Sequence, residues 1–475
     1  MIVLFFVTGF LTACREKNVD PATDTETNEW ILDQMKTWYY WNDKITASPD
    51  LALEPEAFFN SLLYKFDATI RPDGDRFSWI KSDADALKAE LSGSSKTTGM
   101  ELKLFYYPAG SSNIVGIVAY TLPGSPAELA GFKRGDVFTR INDQKLTVSN
   151  YSDLINSDAA KNYNMGVFDE NNSIVETAVK RSVTPISFQE DPVFYDTTFQ
   201  YGSNTIGYLV YNQFIPSKSG SDKKEYDTEL DNVFASFKAK NVNSLILDLR
   251  YNPGGYVSSA TNLASLIGKN ISSDKIFYYK GYNITITPVL QKQYGADYFE
   301  DKFSAKSQNI GSNLTNLVIL TSSRTASASE LIINGLVPYV TVVQIGDRTV
   351  GKNVGSITLY DSETFTKKNV NPSHKYAMQP LVLKIVNASN FGEYTDGLEP
   401  TYEQLEYIST MGVLGEQSEP LLNLAISKII GSTSKRVQQN REQSQPTFTD
   451  SKAMGGIRNQ MYVEKAPEGL LKALK

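Results

Sequence analysis

The sequence predicts a multidomain α/β protein, and three observations carry that prediction. At 475 residues the chain exceeds what one ordinary hydrophobic core supports, so two or three domains are expected. Its pattern changes along its length, from helical periodicity to strand-like runs to an alternation of buried strands and helices. Its composition is that of a globular protein, 41% hydrophobic and 21% charged. A formal net charge of −7 argues against a nucleic-acid partner. No run of 18 or more apolar residues predicts a transmembrane helix, and no phosphate-binding loop predicts a nucleotide.

Residues 2–13 are nearly all apolar and end in Leu11-Thr12-Ala13-Cys14. The stretch is too short to span a bilayer and fits the hydrophobic region of a secretory signal. The small residues before a lone cysteine resemble a bacterial lipobox. That resemblance implies a signal peptide over 1–14, lipidation of Cys14, and a membrane anchor in a bacterial cell envelope, on the periplasmic or outer-membrane face. Residues 15–28 are polar, include Pro21, and read as a flexible tether.

Residues 29–94 read as an N-terminal helical domain. Trp30, Ile31, Met35, Trp38 and Tyr39 recur at helical spacing, as do Phe58, Phe59, Leu62, Leu63 and Phe66. The aromatic run Trp38-Tyr-Tyr-Trp41 offers a binding patch or a face packed on a neighbouring domain, and reads as the second. Asp73-Gly74-Asp75 reads as turn chemistry, because no metal-ligand set follows at the right spacing.

Residues 95–185 switch to strands. In Gly124-Ser-Pro-Ala-Glu-Leu-Ala-Gly131-Phe-Lys-Arg-Gly135-Asp136, a short helix capped at Ser125 ends at Gly131 and turns into a strand. This segment resembles the PDZ signature. PDZ domains bind extended peptides by strand addition. The family's carboxylate loop maps to Thr97, Thr98, Gly99 and Met100, with threonines where the family usually shows another glycine.

Residues 186–431 read as the α/β core, and residues 432–475 as a polar, loosely ordered tail. Ser244-Leu-Ile-Leu-Asp-Leu249 and Leu317-Val-Ile-Leu320 are continuous apolar runs, as strands buried on both faces would be. Sites are expected at the carboxyl ends of such strands.

The chemistry-bearing residues lie there. Ser327, in Arg324-Thr-Ala-Ser-Ala-Ser-Glu330, reads as the start of a helix after a strand. Lys352, in Gly346-Asp-Arg-Thr-Val-Gly-Lys352, reads as part of a glycine-bracketed loop. The chain has one histidine, His374, and one cysteine, so most hydrolase mechanisms and the usual zinc sites lack their parts. His374, in a turn-like polar stretch, reads as a surface residue. A serine–lysine dyad needs neither residue type. No metal and no cofactor are expected.

Together, Leu247-Asp-Leu-Arg-Tyr-Asn-Pro-Gly-Gly255, Thr325-Ala-Ser-Ala-Ser-Glu330 and Gly346-Asp-Arg-Thr-Val-Gly-Lys352 resemble, in order, the signatures of the carboxy-terminal processing peptidases, the S41 serine proteases. The opening resembles the lipoprotein members of Bacteroides-like bacteria. The resemblance implies a mixed α/β (ClpP/crotonase-like) protease core. It implies an endopeptidase that cleaves unfolded or C-terminally presented protein chains. It puts the nucleophile on Ser327, with Ser329 as competitor, and the general base on Lys352. It draws an oxyanion hole from the amide of Ala328 and that of Gly254 or Gly255; Pro253 has no N–H to offer. Several members place a glutamine where this chain has Ser356, so a third catalytic residue would fall there. A catalytically inactive peptidase-like PDZ scaffold is the alternative from another class, and hydrolysis of an envelope ester a third.

Overall fold

Two six-stranded sheets organise the carboxyl-terminal half of the chain. We describe them from a computed structural model that covers residues 22–91, 94–362, 367–432, 447–451 and 461–463. The signal-like segment and Cys14 lie outside these residues. Among the described residues no helix is long and apolar enough to cross a membrane.

The first sheet runs in the order Val193–Tyr201, Asn204–Tyr211, Ser244–Asp248, Asn316–Thr321, Val342–Gly346, Tyr402–Glu403. Its first two strands are antiparallel and the rest pair in parallel. Every residue of Ser244–Asp248 is buried. Leu245 and Leu247 join a core with helices Val257–Ile267 and Ala328–Leu336. Ile246, pointing the other way, packs with Leu421, Leu422 and Ala425 of helix Pro420–Ile430. A strand covered on both faces needs apolar residues at every position, which explains the unbroken run. Parallel register sets three strand ends side by side: Asp248 pairs with Leu320, and Thr321 with Gly346. All three motif turns therefore open at one edge.

The second sheet runs Gly255–Tyr256, Met461–Tyr462, Val354–Ser356, Leu381–Asn387, Ile276–Tyr282, Glu300–Lys302. The middle domain is built on strands Met100–Tyr106, Ile114–Thr121, Val137–Ile141, Lys161–Phe168 and Ile174–Val183. Helices Pro126–Leu129 and Tyr151–Asn156 accompany them. The connecting strands Ser94–Thr97 and Ile186–Gln189 pair with each other where the chain enters and leaves.

Three regions depart from the sequence reading. Helix Asp24–Trp38 starts inside the stretch read as a tether, because Thr23 and Glu26 form a capping box. The N-terminal region is not purely helical: strand Trp79–Lys81 pairs with Ala377–Gln379 of the core. Trp38, Tyr39 and Trp41 sit in the same hydrophobic cluster as the core helices, which makes the aromatic run a packing face. The tail, read as loosely ordered, supplies two strands, Thr447–Asp450 beside Met100–Tyr106 and Met461–Tyr462 inside the second sheet.

Candidate active site

Ser327 stands at the turn between strand Asn316–Thr321 and helix Ala328–Leu336. Its φ is +63°, a region that non-glycine residues rarely enter and that costs roughly 1–3 kcal/mol to hold. The side chain is fully buried, and its Oγ makes no hydrogen bond with the described residues. Ser329 is the opposite case: its Oγ donates to the carbonyl of Asn252 (3.0 Å). A hydroxyl held in that way is a structural group, so the geometry favours Ser327 of the two. Ala328 opens the helix, where free N–H groups and the helix dipole favour negative charge.

Glu330, whose role the sequence did not disclose, organises the site. Its carboxylate is fully buried. Oε2 accepts from the amides of Ser327 (2.7 Å) and Lys352 (2.8 Å). Oε1 accepts from the amide of Gly351 (2.6 Å) and the hydroxyl of Thr349 (2.5 Å). One oxygen thus binds the backbones of both sequence-predicted dyad residues and holds the two loops together. Burial raises the Glu330 carboxyl above the usual carboxylate range, and these donors oppose the rise.

Lys352 is also fully buried, and its Nζ makes no hydrogen bond with the described residues. The ammonium position lies 5.0 Å from the centroid of the Phe77 ring. Burial pushes the amine down to about 7, against the pull of the Asp75 and Glu330 carboxylates. A buried, unpaired amine is cheaper neutral than charged, and a neutral amine can accept a proton. Asp75 belongs to the segment read as turn chemistry. That reading holds locally, since its Oδ1 accepts from the amides of Phe77 (2.8 Å) and Ser78 (2.9 Å). The same loop brings Phe77 and a carboxylate to Lys352.

The two glycines of the other motif differ. Gly254 N–H donates to Asn252 Oδ1 (2.9 Å) and is already committed. Gly255 has a φ of +139°, and a Cβ there would lie 2.2 Å from the carbonyl oxygen of Phe214, so only glycine fits. Gly255 is required there for space and backbone angle, which does not single out its N–H as an oxyanion donor. Its strand neighbour is Met461 of the tail.

Ser356 makes no hydrogen bond through its hydroxyl to the Ser327 or Lys352 side chain. It is buried, and its Oγ donates to the carbonyl of Met461 (3.3 Å), so the position of the family glutamine is spent on the tail strand. The loop at Thr97, Thr98, Gly99 and Met100 is likewise closed on itself. Gly99 N–H donates to Thr97 Oγ1 (3.0 Å) and Met100 N–H to Thr98 Oγ1 (3.4 Å). The threonines take the amides that would otherwise cradle a carboxylate. His374 lies apart from the site and is not a surface group: its side chain is largely covered, bonds Asp361 (3.0 Å) and lies against Trp30. Among the described residues no group of three or more His, Cys, Asp or Glu could hold a metal ion.

A second buried cluster adjoins the site. Arg250 pairs with Asp248 (2.8 Å), with both oxygens of Glu419 (2.6 and 2.9 Å) and with Glu406 (3.2 Å). Glu406 also receives Lys103 and Arg134 of the middle domain and the hydroxyl of Tyr251 (2.6 Å). Burial would raise the Glu406 carboxyl, but Arg134, Lys103 and Arg250 outweigh it and hold it well below the usual range.

Comparison with known proteins gives three matches to family descriptions. Residues 205–367 match Peptidase family S41, residues 26–79 the Peptidase S41 N-terminal domain, and residues 117–167 a PDZ domain. Carboxy-terminal processing protease CtpA of Bacillus subtilis is 26% identical over 259 residues, 54% of this chain and 48% of that protein. The chloroplastic C-terminal processing peptidase of Tetradesmus obliquus is 25% identical over 279 residues, 57% of this chain and 54% of that protein. The chain thus spans about half the length of these curated relatives. A crystal structure from Bacteroides fragilis, described as an S41 protease, superposes with a TM-score of 0.68 at 26% identity, covering 88% of this chain and 100% of that one.

Proposed function

We propose, for a chain that belongs to peptidase family S41, a serine endopeptidase of the C-terminal processing type that works through Ser327 and Lys352. The observation that carries the reading is the pair of buried side-chain atoms, Ser327 Oγ and Lys352 Nζ, without hydrogen-bond partners among the described residues, on backbones clamped by one Glu330 oxygen. Neutral Lys352 takes the proton of Ser327 as Oγ attacks the carbonyl carbon of the substrate peptide. The tetrahedral oxyanion is received by the amide of Ala328 and that of Gly254 or Gly255, and losing one such donor typically costs about 10²–10³-fold in rate. The Lys352 ammonium then protonates the leaving amine. Lys352, neutral again, deprotonates the water that hydrolyses the acyl-enzyme.

Substrates in this reading are unfolded or C-terminally presented chains in a bacterial cell envelope, where lipidated Cys14 holds the protein to the membrane. The test compares cleavage of an unfolded protein by the soluble chain beginning after Cys14 with its Ser327→Ala and Lys352→Ala variants. The expected result is cleavage by the parent and a loss of about 10⁴-fold or more in both variants. No cleavage by a folded parent favours the peptide-binding scaffold, and full activity of Lys352→Ala overturns the dyad.

A further inference from the structure

We propose that residues 447–451 of the tail are a built-in ligand of the PDZ-like domain, which fills its peptide groove until an incoming chain displaces it. The pairing supports this first. Strand Thr447–Asp450 runs antiparallel to Met100–Tyr106, with Thr447 opposite Phe105 and Asp450 opposite Lys103. The tail therefore advances along the edge strand toward the loop that contains Gly99. Ser451 continues the contact: its Oγ accepts from the amide of Leu102 (2.8 Å) and donates to Glu101 (2.6 Å). An extended segment added to an exposed sheet edge is the mode by which such domains take peptides.

The side chains fit the same role. Phe448 stands against Tyr106 (4.8 Å between ring centroids) and, edge-on, against Tyr151 of helix Tyr151–Asn156 (5.2 Å). It packs against the domain's own core, as Leu154 of that helix does. One aromatic anchor between the edge strand and a helix is what a groove ligand supplies. Asp450 pairs with Arg324 (3.0 Å), whose guanidinium also donates to the carbonyl of Leu102 (2.6 Å). Arg324 lies three residues before Ser327, so the tail joins the peptide groove to the nucleophile turn.

The chemistry of a competing ligand follows. It is an extended chain with an aromatic side chain at the Phe448 position and a carboxylate, from a side chain or a chain end, two residues later to reach Arg324. The closed amides of Gly99 and Met100 leave Arg324 as the better carboxylate receptor on this edge. That such a competitor is a substrate rests on the functional reading above; the occupancy of the groove does not.

The test is binding of a fluorescein-labelled synthetic peptide of residues 445–451, read by anisotropy. A tethered ligand acts at an effective concentration in the millimolar range, so the full parent chain binds the free peptide weakly. Phe448→Asp empties the groove, and the expected result is binding about 10-fold tighter or more. If Phe448→Asp does not fold, judged by its melting transition, Asp450→Lys is scored in its place. Equal binding to parent and folded variant, or none to the folded variant, overturns the inference. The readout does not depend on cleavage: tight binding to the variant, with no cleavage of an unfolded protein by the folded parent, leaves the inference standing and removes the peptidase reading.

Discussion

Two buried polar clusters meet at the turn over residues 249–255, and they are built in opposite ways. Around Arg250 every charge has a partner: Asp248, Glu419 and Glu406 on the core, answered by Lys103 and Arg134 from the PDZ-like domain. Around Ser327 the pairing goes to the backbone. Glu330 satisfies amides, while the hydroxyl and the amine on those backbones have no hydrogen-bond partner among the described residues. The first arrangement fixes one domain on another, since a buried charge tolerates nothing less than pairing. The second leaves two buried polar groups unsatisfied among the described residues, the arrangement that the proposed dyad would need.

The contrast can be broken from either side. Glu330→Gln sets an NH₂ group against at least one of the donors that now meet a carboxylate oxygen. The expected outcome is a loss of about 100-fold or more in kcat, because small misplacements of catalytic groups cost that much. About 1–3 kcal/mol of stability goes with it for a buried group left unpaired. Unchanged kinetics in the variant would remove Glu330 from the positioning role. Glu406→Gln attacks the other cluster. It leaves Lys103, Arg134 and Arg250 short of a buried counter-charge, and a loss of roughly 3–5 kcal/mol in unfolding free energy is expected. Below the melting transition kcat stays within a few-fold of the parent. A variant that melts like the parent would contradict the account of this cluster.

The smallest effect sharpens the comparison most. Asp75 favours the Lys352 ammonium, opposing the burial that drives the amine neutral. Asp75→Asn keeps the Oδ1 acceptor for Phe77 and Ser78 and removes the charge. Lys352 then loses its proton at lower pH, and the rising limb of the rate profile moves down by up to about one pH unit. A limb that stays in place or moves up would mean that Asp75 does not act on Lys352.

The place of the candidate site in the fold was legible because its motifs are contiguous and each sits at the end of a buried strand. Ser327, Lys352 and the Gly254-Gly255 turn needed only local pattern. Glu330 was visible inside a motif but silent, because its partners Gly351 and Lys352 lie some 20 residues on and meet it only through parallel register. Asp75 carries a local signal, turn chemistry, that hides its distant role. The tail strands are four and two residues long, too short for any periodicity, and their partners are Met100–Tyr106, Gly255–Tyr256 and Val354–Ser356. Ser356 was assigned by analogy with a glutamine, and only the tail strand beside it shows what its hydroxyl does.

Activation of Ser327 by a neutral Lys352, as proposed, is tested by the pH dependence of acylation-like labelling. A fluorophosphonate probe is reacted with the folded chain across about pH 5 to 9, and the modified residue is identified by mass spectrometry. Labelling is expected on Ser327, with a rate that rises through a midpoint of about 7 and is lost in Lys352→Ala. A rate that is flat over this range, or parent-like labelling in Lys352→Ala, would contradict that activation.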